Sequence, residues 1–313
     1  MKSYKIKFIN AKLLLLMVAI MAIFQQTILA QQDAMYSQYM FNTLIINPAY
    51  AGSRDVLSAT ALHRRQWINV DGAPITTTFS VDAPFHNEKI GLGLTLVNDK
   101  IGVSTNTGIF ANYAYRIRLK EKGVLALGLS AGASQFRTNL ADVKTSSNNS
   151  TFDPAFSENQ TKLLPNFGVG IYYTTDKFYV GLSLPHLLNN RLANTSAKQF
   201  RHLFFAMGTV VPLINNLKIK PSFLYKYVNA APMQLDLNCN FWFYDVFALG
   251  VSYRTDKTMI GMLEIQATPQ FRVGYAYDMN FSKLSTLNTG SHEIMMRYEF
   301  SFNKKKVLTP RYF

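Results

Sequence analysis

The sequence predicts an all-β chain: a transmembrane, antiparallel, up-and-down β-barrel of about 14 strands, behind a cleaved signal peptide. Three observations carry that expectation. Short runs alternate apolar and polar residues with a period of two along most of the chain. The links between runs sort by parity into long and short ones. The longest apolar stretch sits at the N-terminus and is shorter than the roughly 20 residues a spanning helix needs.

That first stretch has the order of an export signal. Lys2, Lys5, Lys7 and Lys12 form a basic region, Leu13–Phe24 is continuously apolar, and Ala30 is a small residue suited to cleavage. The expected division is residues 1–30 as signal peptide, 31–55 as an N-terminal segment, 56–303 as the barrel and 304–313 as a tail. The whole chain carries a net charge of +14, and losing the four signal lysines leaves +10. A basic balance suits nucleic acid, an anionic membrane surface or an acidic partner. Export and the lack of any helix-turn-helix, zinc or RNA-binding signature argue against nucleic acid. The single cysteine, Cys239, cannot form an internal disulfide, and a sheet closed on itself has no need of one.

Residues 31–55 are rich in Tyr, Met, Gln and Asn and do not alternate; Asn47-Pro48 and Ala51-Gly52 punctuate them as turns. They are expected on the periplasmic side or packed in the lumen. Val56–His63 is a weak first run. Clear ones follow: Ile75, Thr77, Phe79 and Val81 oppose Thr76, Thr78, Ser80 and Asp82, and Ile90, Leu92, Leu94 and Leu96 oppose Gly91, Gly93 and Thr95. Ile109–Arg118, Leu125–Gly132, Phe167–Tyr173, Phe178–Ser183 and Leu217–Lys226 repeat the pattern. His202–Val210 is apolar on both faces and has no readable orientation. Leu235, Leu237, Cys239, Phe241 and Phe243 stand against Gln234, Asp236, Asn238 and Asn240. Phe247–Arg254 and Phe271–Asp278 alternate, with an ambiguous run, Met259–Ala267, between them. The last run, Glu293–Phe302, puts Ile294, Met296, Tyr298, Phe300 and Phe302 on one face and Met295, Arg297, Glu299 and Ser301 on the other. A transmembrane barrel turns the apolar face to lipid and the polar face to its lumen.

Numbered from the first hairpin, the odd links include Arg64–Gly72, Asn98–Ser104, Gln135–Pro165, Pro185–Gln199 and Met279–His292. The even ones include Lys120–Lys122, Thr174–Lys177, Pro212–Asn216, Tyr244-Asp245 and Thr268-Pro269. Asn229–Ala231 and Thr255–Lys257 are short odd links, so the sorting is a tendency. Long links belong outside the cell, whereas a Greek-key sandwich has no reason to sort links by parity. Gly and Ser crowd the inner face of several runs. Glycine weakens a strand unless another backbone comes close, as an inserted segment or bound partner would; relief of curvature is the alternative.

Chemistry is sparse. The five histidines are scattered, no metal-ligand spacing, nucleophile elbow or phosphate loop occurs, and neither an enzyme, a cofactor nor a metal is expected. Arg116, Arg118, Lys218, Lys220, Lys226, Arg272 and Arg297 face the lumen on this reading, against Asp236, Asp278 and Glu299. They pair with one another across a wet interior, or line an anion-selective pore, or receive an acidic segment.

Several motifs carry a resemblance. Gln31-Gln32-Asp33 leads into Ser37-Gln38-Tyr39-Met40, then Ile46-Asn47-Pro48-Ala49-Tyr50-Ala51-Gly52. Arg64-Arg65-Gln66-Trp67 precedes Gly72-Ala73-Pro74-Ile75-Thr76, and the chain ends Pro310-Arg311-Tyr312-Phe313. Together these resemble the PorP/SprF family of outer-membrane proteins, with Met35 and Tyr36 where that family commonly has an aromatic after the opening Gln-Asp pair. The resemblance implies an outer-membrane barrel working with type IX secretion machinery, in gliding motility or in delivering and retaining a secreted cargo protein. A general porin or small-solute transporter is the competing function. Trp67, Phe152, Pro154 and Phe156, on two odd links, are the expected partner contacts, since interfaces use such anchors.

Overall fold

The computed structural model describes residues 35–119, 123–140, 159–192, 199–229, 231–281 and 289–300. The expected signal peptide and tail lie outside them. The strands are β1 (Leu57–Arg65), β2 (Ile75–Phe85), β3 (Ile90–Ile101), β4 (Ser104–Arg118), β5 (Val124–Thr138), β6 (Gln160–Thr174), β7 (Phe178–Leu184), β8 (His202–Thr209), β9 (Val211–Ile214), β10 (Leu217–Val228), β11 (Gln234–Phe243), β12 (Phe247–Arg254), β13 (Thr258–Gln266), β14 (Phe271–Asn280) and β15 (Ser291–Phe300). Each pairs antiparallel with its sequence neighbour, except that β8 and β9 lie end to end along the same partner, β10, and so make one stave. The ring closes between the first and last strands, from Leu57 opposite Phe300 to Arg65 opposite His292. The result is a closed barrel of 14 staves.

Closure leaves no strand edge in the bilayer, as lipid requires. The outward residues are apolar: Phe79, Leu92, Leu94, Ile109, Leu129, Phe167, Leu237 and Ile294 are all exposed. In water so continuous an apolar surface would be untenable. Phe85, Tyr115, Phe247 and Phe300 stand near one rim and Tyr227 and Tyr253 near the other, the placing of aromatic girdles at the two membrane interfaces. Cys239 also points outward, half-buried.

The ambiguous runs acquire orientations from their partners. In β8, His202, Ala206 and Gly208 point inward, and Phe204 packs on the interior cluster. In β13, Ile260, Met262 and Glu264 are buried and Met259, Leu263 and Ile265 exposed. Both look apolar on two faces because part of the lumen is itself apolar.

Link lengths needed correction. The expected link Asn98–Ser104 shrinks to a turn at Gly102-Val103, because β3 and β4 stay paired through Ile101 and Ser104. The expected link Gln135–Pro165 shrinks to residues 139–159, because β5 and β6 pair out to Thr138 and Gln160. Both strand ends are polar, which hides them from an apolar alternation while their backbones still pair. The long links, 139–159, 185–201, 281–290 and 66–74, nevertheless share one rim, and β1 begins and β15 ends at the other. The long-link rim is the extracellular one.

Candidate functional site

Residues 35–56 pass through the barrel. Their contacts fall on strands all around the ring, which only a segment inside it can reach: Tyr36 on Thr78 of β2, Tyr39 on Asn238 of β11, Asn47 on Ile171 of β6 and Arg54 on Glu299 of β15. Three short 3₁₀ turns, Tyr39–Phe41, Thr43–Ile45 and Pro48–Tyr50, fold the segment into a plug. The local sequence explains the third. Asn47 accepts the Ala49 N–H at 2.9 Å, and Pro48 takes the first helical position, where no N–H is needed. The Asn47 amide also donates to the Ile171 carbonyl at 3.0 Å, tying the turn to the wall.

The plug has a direction. Met35 lies against Lys226 near the extracellular end of β10. Beside it, Arg64, Asp278 and Glu293, from β1, β14 and β15, hold Ser37 and Gln38. The Glu293 carboxylate accepts the Ser37 and Gln38 N–H groups at 2.8 and 2.7 Å. The Ser37 hydroxyl lies 2.7 and 2.8 Å from the two Asp278 oxygens, and Arg64 pairs with Asp278 at 2.7 Å and Glu293 at 3.1 Å. At the other end, Asp82 accepts the Gly52 N–H at 2.8 Å, Arg54 pairs with Glu299 at 2.5 Å, and Asp55 meets Arg116 at 2.6 Å. The chain thus enters at the extracellular rim and reaches the periplasmic rim where β1 starts.

Glycine makes room for it. A Cβ on Gly91 would stand 1.8 Å from the Ala51 oxygen, one on Gly128 2.1 Å from the Ala49 nitrogen, and one on Gly170 2.1 Å from Asn47 Oδ1. Gly91 and Gly128 are where the plug's backbone touches the wall, and Gly170 is where Asn47 does, so close approach accounts for these three, whereas Gly132, Gly168, Gly208 and Gly250 face wall or link residues.

The signature residues Ser37, Gln38, Tyr39, Met40, Asn47, Pro48, Ala49 and Tyr50 are all buried in this plug. Gly52, at φ +72°, makes the turn past Gly91. Gln66 and Trp67 sit instead on the first extracellular link. The Gln66 N–H bonds the Pro74 carbonyl, and Trp67, at a left-handed φ of 46°, is 36% exposed. Phe152, Pro154 and Phe156 lie outside the described residues.

Of the charged residues read as lumenal, Arg116, Lys220, Lys226, Asp236, Arg272, Asp278, Arg297 and Glu299 are buried inside. Lys226 and Arg254 share Asp236 at 3.1 Å each, and Arg272 pairs with Glu264 at 2.8 Å and stacks on Trp242. Lys218 is at the inner rim, paired with Asp245 at 2.7 Å. Arg118 is a correction. It shares the inward parity but, at the end of β4, its side chain is 63% exposed and pairs with Glu88. The sequence analysis did not place Arg54, Arg64, Arg254, Glu264 or Glu293 among the lumenal charges. Parity in the last run would have assigned Glu293 to the inner face, whereas Arg54 lies in a segment with no alternation to read. A cavity of about 140 Å³ remains between the plug and β3–β5, reached by Phe110, Phe136, His186 and Leu192.

These features define an outer-membrane β-barrel whose lumen is filled by its own N-terminal segment. A family model described as "Type IX secretion system membrane protein PorP/SprF" matches residues 28–298, and the chain belongs to that family. It is a type IX secretion membrane protein, and the family is not one of enzymes. No curated relative matches the chain. Similar solved structures include the Acinetobacter baumannii outer membrane protein Omp33, 10% identical over 78% of this chain and 98% of that one, with a TM-score of 0.47. The CymD monoaromatic hydrocarbon channel is 11% identical over 88% and 95%, at 0.48, and the KdgM porin 12% over 78% and 99%, at 0.39.

Proposed function

We propose that the barrel docks exported cargo, the C-terminal domain of an adhesin or an enzyme, at its extracellular rim beside the secretion machinery, and holds it on the cell surface in secretion and gliding motility. The observation that supports this over a diffusion porin is the plug: a lumen crossed by a buried, hydrogen-bonded segment is poorly suited to free solute flow. The long links at one rim supply the recognition surface, with Trp67 on the first and Phe152, Pro154 and Phe156 on the third odd link as anchors. Links of that length are usually functional when they are ordered.

Deleting Asn139–Phe156 is expected to leave the barrel assembled and release cargo into the medium. Cargo that stays on the surface after the deletion, while changes at Tyr39 or Tyr50 free it, would move the docking site into the plug. The transporter reading makes the opposite demand: steady conductance by the purified protein in planar bilayers, unaffected by cargo.

A further inference from the structure

We infer that the cavity between the plug and β3–β5 binds one small uncharged aromatic ring bearing a hydroxyl, a ligand of the phenol class. The cavity measures about 140 Å³ and its walls are mainly apolar: Leu44 and Ile46 from the plug, Phe110, Phe136 and Phe204 from the barrel, and Leu192 from the link above. An apolar cavity of about 150 Å³ is large enough for one benzene ring. The site lies toward the extracellular rim, since Phe136 is near the outer end of β5 and Leu192 belongs to the 185–201 link.

Glycine builds its floor. Gly108 and Gly132 face Phe110 rather than the plug: a Cβ on Gly108 would stand 2.7 Å from Phe110 Cε2, and one on Gly132 2.6 Å from Phe110 Cδ1. The Phe110 ring fills the space where two side chains would project, and so lies against the wall instead of standing across the lumen. The His186 ring meets it at 76°, with centroids 5.9 Å apart. The two make an aromatic corner, where a third ring gains edge-to-face or offset contact. Polar groups choose the substituent. Asn106 lines the cavity, and its Oδ1 is buried with no hydrogen-bond partner. An unmet buried acceptor is costly, and a ring hydroxyl donates to it. No lysine or arginine lines the cavity among the described residues, and its acid, Asp99, accepts from the Thr76 hydroxyl at 2.5 Å. An anion finds no counter-ion there. The inference is independent of the docking role, since the ligand is a free small molecule rather than cargo.

The test is fluorine NMR of para-fluorophenol titrated with the purified full-length barrel in detergent, with empty micelles as the reference. The expected result is saturable binding beyond the micelles' own uptake, at about one ligand per chain, competed by phenol and weakened about tenfold or more by Ser134→Leu, which fills the cavity from β5. Fluorobenzene, without the donor, should bind more weakly, and para-fluorobenzoate not at all. Gly261→Ala, on the lipid face of β13, should bind as the wild type does. Uptake no greater than that of the micelles overturns the proposal and leaves water only in the cavity. Fluorobenzene or fluorobenzoate binding as tightly as the phenol overturns it too. If Ser134→Leu fails to assemble, Gly108→Ala, which pushes Phe110 off the wall, takes its place; undiminished binding by either variant overturns the proposal equally.

Discussion

At the scale of single residues, glycine separates wall from plug. Gly128 and Gly261 are both strand glycines, but a Cβ on Gly128 would meet the plug backbone at 2.1 Å, and one on Gly261 would meet nothing within 4 Å. Gly128→Ala is therefore expected to destabilise the barrel by about 1–3 kcal/mol through overpacking, and Gly261→Ala to be neutral, in thermal unfolding of the purified protein. Equal effects would show that the inner face is not in contact with the segment. Glu293 is the second test. Glu293→Ala leaves two plug N–H groups without an acceptor and removes one of the two carboxylates that neutralise Arg64. Breaking such a buried pair destabilises by about 3–5 kcal/mol. A raised single-channel conductance should accompany the loss, because this carboxylate fixes the extracellular end of the plug.

At the scale of one element, β11 shows why a strand with a polar inner face need not face water. Leu237 is outward and 49% exposed, and Leu237→Arg is expected to impair assembly by about 2–4 kcal/mol if it reaches the bilayer midplane. A wet lumen would make Asn238→Arg mild. Asn238 instead donates to the Tyr39 hydroxyl at 2.6 Å and is buried, so arginine there collides with the plug and also impairs assembly. The two are distinguished by rescue. Deleting residues 35–41 should restore heat-modifiable barrel on gels for Asn238→Arg and not for Leu237→Arg. Rescue of both would mean that the two faces of the strand are not different environments.

At the scale of the whole molecule, the plug fixes a topology. With Cys239 replaced by serine, Met35→Cys should react with a membrane-impermeant maleimide on intact cells, and Asp55→Cys should react only after the outer membrane is opened. The reason is that Met35 sits by the extracellular end of β10 and Asp55 by the periplasmic end of β4. A tag in the 139–159 link should be reached from outside and one at Lys120–Lys122 should not. The reverse pattern at all four positions would invert the barrel in the membrane.

The sequence by itself determined the number of staves, the lipid face of all but the runs at β8 and β13, and the end that carries the long links. Each follows from a local rule: period-two alternation against lipid, and the difference in length between extracellular and periplasmic connections. It also marked Ser37–Gly52 as a signature and the inner face as rich in glycine. Only the tertiary structure decided that Gly91, Gly128 and Gly170 of that face are where the signature segment meets the wall. Residues 36–54 do not alternate, because nearly all of them are buried against the wall and have no solvent side to alternate with. Arg64 lies far along the chain from Asp278 and Glu293, and only barrel closure, which sets β1 beside β15, brings it to them around Ser37. The β14–β15 hairpin set Arg297 opposite Arg272. Parity could put both in the lumen, but which acids were left for them depended on the register of three strands and the path of the plug.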